Sequence, residues 1–109
     1  MADTLKVLGQ VAPAATILTD LYTAPAGTQV VVSSIIICNR GSADAAVRVA
    51  VAVDGATDAP EQYLFHDVIV PAHDTLAAQI GITLGAQDVI RVQSDTGEVS
   101  FGAFGIEVV

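Results

Sequence analysis

The sequence predicts an all-β protein, a single antiparallel β-sandwich of jelly-roll type, and three observations carry that expectation. Val30 to Cys38 reads Val-Val-Val-Ser-Ser-Ile-Ile-Ile-Cys, and its β-branched side chains have stiff χ1 angles that suit a pleated sheet better than a helix. No stretch offers a convincing helix of three turns: Ala14-Ala15 and Ala77-Ala78 can start helical turns, but β-branched neighbours and Gly81 oppose extension. About eight strand candidates follow one another at the close spacing of sandwiches and jelly rolls. Apolar on both sides apart from two small hydroxyls, Val30 to Cys38 is expected to be a central strand buried on both faces, covered by a second layer of strands.

The remaining elements fall in order around that strand. Leu5 to Gly9 is a short apolar strand candidate, and Val11-Ala-Pro-Ala-Ala is an extended connector because Pro13 removes a ladder donor. Thr16 to Thr23 reads as a strand with both faces partly buried, and Pro25-Ala26-Gly27 supplies the fixed φ and the permissive glycine of a tight turn. After the Asn39-Arg40-Gly41-Ser42 turn, Ala45 to Val53 has a clear period of two. Val47, Val49, Val51 and Val53 form the expected core face, opposite a face of Arg48, Ala50 and Ala52 that its alanines leave nearly bald and that suits either solvent or a closely approaching neighbour chain.

Asp54 to Gln62 is the longest stretch without strand character and the expected exposed loop. Tyr63 to Val70 resumes strand composition, Pro71-Ala-His73-Asp74 turns the chain, and Thr75 to Leu84 reads as one half-buried strand with Leu76, Ala78, Ile80, Ile82 and Leu84 on one parity. Val89 to Gln93 and Val99 to Val109 complete the set. In the last strand Val99 and Phe101 share one parity, whereas Phe104, Ile106 and Val108 share the other. Gly102 and Gly105 flank this slip, which predicts a β-bulge or bend that lets one strand serve both sheets.

A chain of 109 residues makes one domain, residues 1–109, with residues 1–14 a candidate N-terminal arm that Pro13 separates from the body. Hydrophobic residues make up 52% of the chain but aromatics only 5%, so the apolar mass is aliphatic and some of it is expected at subunit interfaces of a homo-oligomer. Twelve acidic residues against four basic ones give a net charge of −8. That balance argues against nucleic-acid partners held by counterion release and against anionic membranes, and it suits a protein packed at high concentration. Cys38 is the single cysteine and is expected to be a buried thiol. No signal pattern and no apolar run of membrane-spanning length is present, so synthesis and residence in a cytoplasm are expected.

Candidate chemistry is sparse. His66-Asp67 and His73-Asp74 carry metal-ligand side chains, but neighbours on a strand point to opposite faces and zinc needs three or four convergent ligands. A surface histidine beside a turn, with Asp74 capping that turn, is the expected reading. Asp54, Asp58 and Glu61 are the only calcium candidates, hard oxygen ligands on one loop without EF-hand spacing. No cofactor is expected. A hydrolase using His66 or His73 lacks a Gly-x-Ser-x-Gly nucleophile motif. Tyr22, Tyr63 and Phe65 can form a sugar-stacking face only if they cluster, and packing is the expected role. Arg40, Arg48 and Arg91 are each expected to pair with a carboxylate, within the chain or across a subunit boundary.

Several stretches taken together resemble small β-sandwich virion structural proteins of tailed bacteriophages, of the marine and cyanobacterial type. They are Lys6-Val-Leu-Gly-Gln10, Leu18-Thr-Asp-Leu-Tyr-Thr-Ala-Pro-Ala-Gly27, Val32-Ser-Ser-Ile-Ile-Ile-Cys-Asn-Arg40, Arg48-Val-Ala-Val51 and Phe104-Gly-Ile-Glu107. The resemblance implies a non-enzymatic building block of a phage particle, present in many copies, assembled in the host cytoplasm. Its partners would be identical copies and other virion proteins of capsid (decoration or cement), neck, tail or fibre. The alternative is a glycan-binding or host-surface-binding module that uses Asp54 to Gln62 and Tyr63, with calcium assistance.

Overall fold

The computed structural model describes residues 3–108. Met1, Ala2 and Val109, the outermost residues of the expected domain, arm and last strand, lie outside the described residues. Nine strands occur among the described residues: β1 (Asp3–Val11), β2 (Thr19–Thr23), β3 (Gln29–Asn39), β4 (Ala45–Ala52), β5 (Tyr63–Val70), β6 (Thr75–Ala78), β7 (Ile82–Leu84), β8 (Val89–Ser94) and β9 (Val99–Val108). They form two antiparallel sheets, the first in the order β1-β9-β3-β6 with β7 also on β3, the second in the order β2-β8-β4-β5. With β6 and β7 taken as halves of one broken strand, the chain is a long hairpin rolled on itself. β1 pairs with β9, β2 with β8, β3 with β6 and β7, and β4 with β5. This is the jelly-roll arrangement, a sandwich of two packed sheets.

The core lies between the sheets. Val30, Val32, Ile35 and Ile37 of β3 and Phe101 of β9 meet Val47 and Val49 of β4 and Ile90 and Val92 of β8. Each such side chain contributes about 1.5–3 kcal/mol relative to exposure. Asn39, at the end of β3, is also fully enclosed. Its Nδ2 donates to the carbonyls of Ala43 and Val70, and its Oδ1 accepts from the Gly41 N–H. One amide thereby ties the β3–β4 turn to the end of β5.

β3 is central in its sheet, but it is half-buried rather than buried on both faces. Val31 is 40% exposed, and Ile36 and Cys38 are only partly covered. The second sheet covers one face of the first, and among the described residues no further layer lies over its opposite face. The expected buried thiol of Cys38 therefore sits on the outer side, paired across from Ser100 and Thr75.

Four further expectations change. The strand expected from Thr16 begins at Thr19, because Thr16 is in a turn with φ of 62° and its N–H donates to the Ser94 carbonyl. A register shift between Asp20 and Tyr22 leaves Leu21 and Tyr22 buried in succession. Val53 is 68% exposed in a one-turn 3₁₀ segment, whereas Ala50 and Ala52 are buried. The loop of residues 53–62 folds back over them, with Gly55 against Val89 and the Arg91 guanidinium donating to the Gly55 and Ala56 carbonyls. The chain itself thus occupies the small-residue face.

Thr75 to Leu84 is broken at residues 79–81, although Leu76, Ala78, Ile82 and Leu84 keep one inward parity. In β9 the backbone alternates without a slip and stays in one sheet. The irregularities lie on its partners, between Val7 and Gly9 of β1 and between Val32 and Ser34 of β3. Gly105 allows this crowding, since a Cβ there would collide with the Val31 carbonyl. The apolar residues Phe104 and Ile106 consequently point away from the core.

Candidate functional site

The alternation of β1, β9 and β3 that fills the core also builds an apolar surface on the outside of the first sheet. Leu5 on β1, Ile106 on β9 and Val31 on β3 are cross-strand neighbours. Leu5 is 79% exposed and Val7, beside Phe104, is 53% exposed. Toward the other end of the strands the Phe104 ring leans over Gly102, where an added Cβ would stand 3.2 Å from the ring. Ile36, Cys38, Gly102 and Phe104 line a shallow concavity of about 490 Å³ there.

Charge is nearly absent from this surface. Of the twelve acidic residues, only Asp3, at the Val108 end of β1, lies within the strands at the outward parity of Leu5 and Val7; Glu98, in the turn before β9, accepts the Arg40 N–H at its carbonyl and lines a depression with Arg40 at the other end. Glu107 points between the sheets, where it accepts hydrogen bonds from Tyr22 and Lys6. At the opposite end of the face, Arg40 lies along Ser100, donating from Nε to its Oγ at 2.8 Å and from Nη2 to the Gly97 carbonyl at 3.4 Å. Arg48 and Arg91 have the expected carboxylate partners, Asp67 at 2.7 Å and Asp20 at 3.2 Å. Arg40 has none among the described residues.

A second, polar concavity of about 460 Å³ lies where the 53–62 loop meets β5, lined by Arg48, Asp58, Ala59, Pro60, Tyr63 and His66. Arg48 makes a fork to both Asp67 oxygens, at 2.7 and 3.1 Å, which holds the Asp67 carboxyl below its usual range. Burial first, and the Asp58 carboxylate second, push the Tyr63 phenol up. The Tyr63 and His66 rings meet edge to face at 5.2 Å.

The other candidates are dispersed. Asp54, Asp58 and Glu61 share a loop, but no group of three His, Cys, Asp or Glu side chains among the described residues forms a metal cluster. Asp58 lines the second concavity, and the Asp54 N–H donates to the Asp88 carboxylate. His66 and His73 line different depressions. Asp74 caps its own turn, accepting from the Thr75 N–H, as the sequence suggests. Tyr22 is buried between the sheets and Phe65 packs on the core, so they form no aromatic face with Tyr63. The apolar outer face itself was missed in sequence because Phe104, Ile106 and Val31 read as core residues; the signal was the parity change in the last strand.

No protein-family model matches this chain, and no curated protein matches it. No helix among the described residues is long and apolar enough to cross a membrane.

Proposed function

We propose that this chain is a non-enzymatic structural protein of a tailed-bacteriophage particle. In this reading it self-associates on the capsid exterior as a decoration or cement subunit, or on the neck, tail or fibre. The observation that carries the reading is the outer face of the first sheet, a largely apolar surface whose charges are Asp3 at one end and Arg40 with Glu98 at the other, on a chain of net charge −8. Apolar surface of this extent on a small domain serves association, and acidic charge elsewhere limits association to that face. The resemblance of the sequence to phage virion proteins gives the setting. Quantitative mass spectrometry of purified particles, against the major capsid protein, tests it. Hundreds of copies mean capsid decoration, a few dozen mean neck, tail or fibre, and absence from the particle overturns the proposal.

One observation favours a second reading, a glycan-binding module: the concavity at Arg48, Asp58, Tyr63 and His66 combines a ring edge with polar groups. A rise in melting temperature with added sugars or calcium supports that reading by mass action.

A further inference from the structure

We propose that two copies of this chain pair face to face through the outer side of the first sheet, about a two-fold axis that sets Arg40 of each copy against Asp3 of the other. The inference rests on the self-associating reading above and supplies its geometry.

The first ground is the unmatched pair of charges. Twelve acids stand against four bases, and three of the bases, Lys6, Arg48 and Arg91, hold carboxylates within their own chain. Arg40 alone among the described residues is held only by a hydroxyl and a carbonyl. Among the described residues Asp3 makes no ion pair either, and it is the one acid within the strands of that face; Glu98, in the turn beside Arg40, makes no ion pair with it. In a chain so rich in carboxylates, an arginine without an ion-pair partner at the end of a largely apolar surface is matched for a carboxylate that arrives with another molecule.

The second ground is where the two charges lie. Asp3 is opposite Val108, and Arg40 lies along Ser100. Eight strand residues separate those positions, about 27 Å at ~3.4 Å per residue. A two-fold interface must be self-complementary, so an acid at one end needs a base at the other. The line from Asp3 on β1 to Arg40 beside β3 runs obliquely to the strands. An axis exchanging its ends makes the two sheets cross at roughly 30°, the angle at which aligned sheets pack.

The third ground is size. Four strand positions at ~4.8 Å and about nine residues at ~3.3 Å give a face of about 600 Å². Two such faces bury about 1,200 Å², the lower end of the range for specific complexes. Between the charged ends lie Leu5, Val7, Val31, Phe104 and Ile106, with no buried charge to oppose contact.

Sedimentation velocity on the full chain tests the proposal, with wild type, Asp3→Arg, Arg40→Asp, the double swap, and Leu5→Glu at about 100 μM. All three positions are exposed, so the monomers should melt as wild type does. Wild type is expected to dimerise, each single reversal to raise Kd about tenfold or more, and the double swap to restore it. Leu5→Glu should be monomeric, and 0.5 M salt, on the order of a 4 Å screening length, should shrink the effect of the reversals. A dimer indifferent to the single reversals overturns the proposed pairing but leaves self-association standing. A wild type that stays monomeric overturns the dimer, while the particle copy number still judges the virion reading separately.

Discussion

The Tyr22 hydroxyl, on β2 of the second sheet, donates to the Glu107 carboxylate on β9 of the first, which also takes Lys6 from β1 at 3.3 Å. A single phenol therefore bridges the two layers at the end of the core. Its hydrogen bond holds the Glu107 carboxyl below the usual range, and burial, reinforced by that carboxylate, raises the Tyr22 phenol above its ordinary value. Tyr22→Phe should cost about 1 kcal/mol in urea denaturation at neutral pH.

The same pair sets a pH window. Glu107 ionises more readily folded than unfolded, so its contribution is present above the unfolded carboxyl value of about 4.3 and is lost as pH falls through the folded one. Tyr22 ionises less readily folded, so its contribution is present below about 10 and is lost as pH rises beyond. The stability difference between wild type and Tyr22→Phe should be flat from about pH 5 to 9 and narrow on both sides.

Asp67 adopts a φ of 57° inside β5, where one residue of β4, Arg48, stands opposite two. Its carboxylate fork to Arg48 is solvent-exposed, and the backbone conformation is the costlier feature. Asp67→Ala should be less stable than Asp67→Gly by about 1 kcal/mol, although both lose the fork. Equilibrium denaturation of the two variants at low and high salt separates backbone strain from charge.

Replacing Asn39 by Leu leaves the enclosed Val70 carbonyl and Gly41 N–H without their partner. A loss of about 1–3 kcal/mol is expected. Faster amide exchange in the β3–β4 turn, measured by hydrogen exchange, should accompany it.

Gly105→Ala puts a Cβ against backbone at Val31, and backbone cannot swing aside as a side chain can. It should cost about 1–3 kcal/mol or more. Gly81→Ala meets nothing within 4 Å and serves as the control.

Val49 is fully buried between Val47 and the β8 core residues. Val49→Asp would enclose an unpaired carboxylate, at a cost of several kcal/mol that exceeds what a small domain can absorb. Soluble protein of normal circular dichroism would refute this core assignment.

Nearly all the strands were legible, because β-branched runs and turn residues are local preferences read directly from residues such as Val30 to Cys38 and Pro25-Ala26-Gly27. Which face of a strand is covered is not local. Val31, Ile36 and Phe104 have the chemistry of core residues and lie outside, whereas Ala50, Ala52 and Asn39 look peripheral and are enclosed. The broken strand at residues 79–81 follows from the irregularity of β3 opposite it, a feature of pairing between segments far apart in sequence. The polar concavity was half visible, since the sequence marked Tyr63, His66 and Asp58 separately but gave no reason for them to meet.

The sequence by itself determined an acidic, aliphatic, all-β sandwich, because composition and period two leave an extended chain no other way to bury its side chains. Tertiary structure decided the pairing order, the self-covering of Ala50 and Ala52 by the 53–62 loop, and the outward turn of Phe104 and Ile106. It also set Asp3 and Arg40 at opposite ends of one bare face. Those outcomes depend on register, and a strand's parity becomes inside or outside only when its neighbours fix it.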